Sequence, residues 1–155
     1  MTTTESNKLI AEFMGCEEQD MSFRIPKDIL NIEQESDCPN SQDIDCWDVP
    51  LKSLQFNSSW DWLMPVVETI RKIPSYDRDK FGTKVILNGR KIKIVSGSYG
   101  DKRGHDKTYF NKSFDGTLYQ REIEGIYGKS DDNYSPIRMT YYAVVEFIKW
   151  YDKNK

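Results

Sequence analysis

Three stretches of the chain repeat apolar residues at helical spacing. In the first, Leu9, Ile10, Phe13 and Met14 share one stripe, which predicts a helix from about Glu5 to Met14. Thr4 is its expected N-cap, and Gly15 stands where a left-handed C-cap belongs. In the second, Trp60, Leu63, Met64, Val67 and Ile70 follow the capping pair Ser58-Ser59, and Pro74 ends the pattern. Pro65 lies inside this segment and cannot donate to the carbonyl four residues back, so a kink or a tight first turn is expected. Trp60 and Trp62 are two apart and cannot share a stripe, which predicts that one is partly exposed. The third pattern is the most regular. Ser135 and Pro136 open it, and Ile137, Tyr141, Val144, Val145, Ile148 and Tyr151 recur along one face. Tyr142 and Trp150 form a second stripe beside it.

Between the second and third helices the period changes from 3.6 toward 2. Thr83–Leu87 and Arg90–Val95 flank Asn88-Gly89, a strong hairpin signal. Thr108–Phe114 and Leu118–Tyr127 read as further strands, and Leu51–Phe56 as an edge strand leading into the second helix. Together these predict an α+β fold, an antiparallel sheet with a central Asn-Gly hairpin packed against about three helices. A chain of 155 residues fits one domain, 1–155. Within it, residues 17–48 form a long excursion of weak periodicity, with a short strand near Met21–Ile25 and a helical turn near Ile29–Ile32. Ser96–Lys107, with three glycines, reads as a loop.

Composition excludes several classes. An aromatic share of 13% is too high for a disordered acidic chain. No apolar run is long enough to span a bilayer, and the start lacks a basic region followed by an apolar stretch, so the expected location is the cytoplasm. Cys16, Cys38 and Cys46 are odd in number and without CxxC spacing, which predicts reduced thiols and no zinc site.

Charge adds more. The net charge is only -3, yet residues Glu17–Asp48 carry ten acidic against two basic residues, a balance of -8. Residues Thr83–Lys112 carry eight basic against two acidic, a balance of +6. The acidic candidates for partner binding are Glu33, Glu35, Asp37, Asp43, Asp45 and Asp48. The basic candidates, for a protein or nucleic-acid partner, are Arg90, Lys91, Lys93, Lys102, Arg103 and Lys107, with Tyr99 and Tyr109 able to stack on bases. The bland alternative is that the two segments neutralise each other. A pI near 5.3 argues against independent tight binding to nucleic acid.

Chemical motifs are sparse. There is no GxxxxGK[ST] loop, no dinucleotide fingerprint and no nucleophile elbow. His105 is the single histidine and sits in the glycine-rich loop. Glu122 and Glu124 read as a pair on one solvated strand face. A binding protein without enzymatic activity or cofactor is therefore expected.

The strings Asn7–Gly15, Ser58–Glu68 and Ala143–Tyr151 together resemble the phage ABA-sandwich domain family of small phage and prophage proteins from Bacteroidetes-type bacteria. The likeness covers the three helices, and the acidic excursion and basic hairpin depart from the pattern. It implies a phage or prophage origin. The expectation is an inhibitor of a host defence system, such as an anti-CRISPR protein acting on an RNA-guided effector or its RNA-bound complex, away from any membrane. The alternatives are a module that sequesters a signalling nucleotide through Ser96–Lys107, and a phage accessory protein of other function.

Overall fold

The computed structural model describes residues 1–29, 46–73, 82–88, 91–97, 112–125 and 135–153. Two compact units, Met1–Val66 and Val67–Lys155, divide the chain. Helices and antiparallel strands are segregated rather than alternating, so the fold class is α+β. No described helix is long and apolar enough to cross a membrane.

In the first unit, helix α1 (Thr3–Phe13) starts two residues earlier than its periodicity suggests. Thr2, rather than Thr4, is the N-cap. Its hydroxyl accepts from the Glu5 N–H at 3.2 Å, and the Glu5 carboxylate accepts from the Thr2 N–H at 2.6 Å. Gly15 ends the helix as expected, at φ +78°. Gly15 N–H donates to the Glu12 carbonyl and Cys16 N–H to the Ala11 carbonyl, the paired bonds of a Schellman motif. The buried face is Asn7, Ile10, Ala11 and Met14; Leu9 and Phe13 stand half-buried to one side. Asn7 is 4% exposed, and its amide donates to the Leu54 carbonyl at 2.7 Å and to Asn57 Oδ1 at 3.3 Å. That bond ties the first turns of α1 to a segment 47 residues away.

The excursion contains more order than its sequence pattern suggests. Strands β1 (Glu17–Gln19), β2 (Ser22–Pro26) and β3 (Cys46–Pro50) form an antiparallel sheet in that order. The short strand expected near Met21–Ile25 is β2. Asp20, at φ +46°, turns β1 into β2, a conformation aspartate adopts more readily than most residues. Phe23, Ile25 and Val49 are buried on one face. Leu51–Ser53 is a 3-10 turn rather than the start of an edge strand, and it delivers Leu54 and Phe56 to the core. Helix α2 (Trp60–Lys72) then crosses from the first unit into the second and continues through Pro65. Trp62 is the buried tryptophan, set edge-on to Phe56 at 5.2 Å, whereas Trp60 is 42% exposed.

In the second unit, β4 (Gly82–Asn88), β5 (Lys91–Gly97) and β6 (Lys112–Asp115) form the other antiparallel sheet. The strands flanking Asn88-Gly89 pair as expected, with Val85 opposite Ile94 and Asn88 opposite Lys91. Residues 89 and 90, which would complete the turn, lie outside the described residues. Helix α4 (Pro136–Lys153) buries Tyr141, Val144, Val145 and Ile148 as its stripe predicts, and also Met139, Thr140, Ala143 and Phe147. Phe114 on β6 meets Phe147 edge-on at 5.6 Å and Trp150 at 5.8 Å, which fastens the sheet to α4.

The largest departure is α3. Gly116–Glu124 is a helix, whereas its sequence reads as part of a strand from Leu118 to Tyr127. The end signals explain it. The Asp115 carboxylate accepts from the N–H groups of Thr117 and Leu118, and Gly125 closes the helix at φ +65°. Nothing lies within 4 Å of a Cβ built at Gly125, so Gly125→Ala tests backbone conformation alone. The expected loss is about 1 kcal/mol, read as a lower denaturation midpoint at unchanged slope.

Candidate partner-binding surfaces

Of the acidic candidates, Asp48 lies among the described residues; Glu33, Glu35, Asp37, Asp43 and Asp45 do not. Asp48 is exposed on β3, directly opposite Arg24 on β2, and Arg24 is in turn opposite Glu17 on β1. Directly opposed residues share a sheet face, so an acid–base–acid row crosses all three strands. β1 is exposed along its length. Glu18 accepts from Lys8 Nζ at 2.6 Å, and Lys8 also lies 3.9 Å from Glu12. These pairs are solvent-facing, so water and salt screen them and they contribute little to stability. The described ends of the acidic segment are thus held in an ordered sheet, with Arg24 and Lys8 countering part of their charge.

Of the basic candidates, Lys91 and Lys93 lie on β5. Their Cα partners on β4 are Asn88 and Ile86. Arg90, Tyr99, Lys102, Arg103, Lys107 and Tyr109 lie outside the described residues, as does His105.

Cys16 is buried and Cys46 half-buried, and neither is bridged. Burial pushes the Cys16 thiol up to about 11, and nearby Cys46 adds to the shift. It is therefore a protonated, unreactive core thiol at neutral pH. Among the described residues no group of histidine, cysteine and carboxylate side chains is arranged to hold a metal ion.

The densest polar cluster was not singled out in the sequence. Because α3 is helical, Glu122 and Glu124 point to different sides, and Glu124 turns inward with 18% of its side chain exposed. It accepts from Gln120 Nε2, Arg138 Nη1 and the Tyr142 hydroxyl, each at 3.0 Å. Gln120, 1% exposed, also accepts from the Ser135 N–H at 3.1 Å. Burial works to raise the Glu124 carboxyl, but the three hydrogen bonds and the Arg138 charge outweigh it and hold the group below its ordinary value. For Tyr142, burial and then the bond to Glu124 push the phenol up to about 12. Every member of the cluster is partnered, so its chemistry is that of a clamp between α3 and α4 rather than of a reactive centre. The second aromatic stripe of α4 is thereby divided: Tyr142 serves the clamp, and Trp150 packs on Phe114 and Phe147. The sequence signal for the cluster is the pair of helix ends, Asp115 and Gly125, which spaces Gln120 and Glu124 one turn apart.

Comparison of the chain with protein-family models, curated proteins and solved structures finds no match.

Proposed function

We propose that this protein is a phage- or prophage-derived binding protein that acts without catalysis and inhibits a host defence system. In this reading it docks the acid-rich segment 17–48 on the basic, nucleic-acid-handling surface of a host protein, such as an RNA-guided effector. The observation that carries the docking mode is the segregation of charge, -8 over residues 17–48, in a segment whose two ends lie in one sheet. Concentrated like charge speeds encounter with a basic surface. The phage origin and the defence target rest on the resemblance of the three helical strings.

The test is a cleavage assay with a guide-loaded effector from a Bacteroidetes-type host and labelled target DNA. Purified protein is expected to suppress cleavage and to co-elute with the effector after nuclease treatment. Replacing Glu33, Glu35, Asp37, Asp43 and Asp45 with lysine should weaken co-elution at least about tenfold, and added salt should weaken the wild-type complex. Full cleavage at saturating protein, with no effector retained, would sink the proposal.

A further inference from the structure

We draw no further inference here: the strongest candidate, the apolar patch of Leu118 and Ile123 on the outward face of helix α3, lies beside residues 126–134, which are outside the described residues, and nothing in the structure shows what covers it.

Discussion

Phe114→Ala is expected to destabilise the protein by about 3–5 kcal/mol, the usual range for emptying a buried phenylalanine site. Phe114 is 1% exposed and lies between the sheet of the second unit and α4, with Phe147 at 5.6 Å and Trp150 at 5.8 Å. Truncation removes the ring's own transfer energy and the edge-on contact, and the paired strands on one side cannot collapse into the gap. Ile94, directly opposite Phe114 on β5 and fully buried, loses a neighbour as well. Guanidinium unfolding followed by circular dichroism reads the effect as a lower midpoint. Phe114→Leu should recover more than half of the loss, because much of the volume is restored. Loss of less than about 1 kcal/mol in the alanine variant would mean that this contact does not secure the sheet to α4.

The second large effect is expected at Glu124. Glu124→Ala removes the acceptor for Gln120, Arg138 and Tyr142 at once, with an expected loss of about 2 kcal/mol. Arg138 is 58% exposed and can turn to water, so most of the loss comes from Gln120 and Tyr142. The dependence on pH has a defined sign. The folded-state carboxyl lies below its ordinary value of 4.5, so the ionised form is favoured in the folded protein. The stabilisation is fully present above that ordinary value and is lost as the pH falls through the folded-state value. The stability gap between wild type and Glu124→Ala should therefore be flat from pH 6 to 8 and narrow below about pH 4.5. Tyr142→Phe keeps the packing and deletes one bond to Glu124, and should cost about 1 kcal/mol from pH 6 to 8, a cost that narrows below about pH 4.5 because the bond is made to the same carboxylate. A gap that stays constant down to pH 3 would show that the carboxylate's charge does not contribute.

The two effects separate what was legible in the chain from what was not. The α4 stripe from Ile137 to Tyr151 recurs over about four turns, so α4 could be read directly, although Phe147 beside it was not part of that stripe. The strands on either side of Asn88-Gly89 were equally plain, since alternation and a turn signal coincide there. Gly15 marked the end of α1 because few other residues hold φ +78° cheaply. Glu124 was hidden. In Leu118–Tyr127 the apolar and aromatic residues suit a strand, and only the capping residues Asp115 and Gly125 argue for a helix. Reading those caps first would have turned Glu124 and Glu122 to different sides and placed Gln120 beside Glu124.

The first sheet was concealed for another reason. β3 joins β2 across 19 residues or more, and a five-residue strand has no local feature that names its partner. Asp48 appears in the chain as one more acid in an acidic run. Its place opposite Arg24 exists only after that pairing forms. Trp60 and Trp62 show the same limit at smaller scale: spacing required one of them to face outward, and Phe56 at 5.2 Å is what selected Trp62 for the core.

Taken by itself, the chain determined its α+β class, the course of α1, α2 and α4, the paired strands β4 and β5, and the segregation of -8 and +6 charge. These depend on periods, caps and turns that act within a few residues, or on simple composition. The tertiary structure decided which acids are countered, that α3 is a helix with its polar side inward, and that Leu118 and Ile123 face out. A polar group can be buried only when donors arrive from elsewhere in the fold, as Arg138 and Tyr142 do for Glu124.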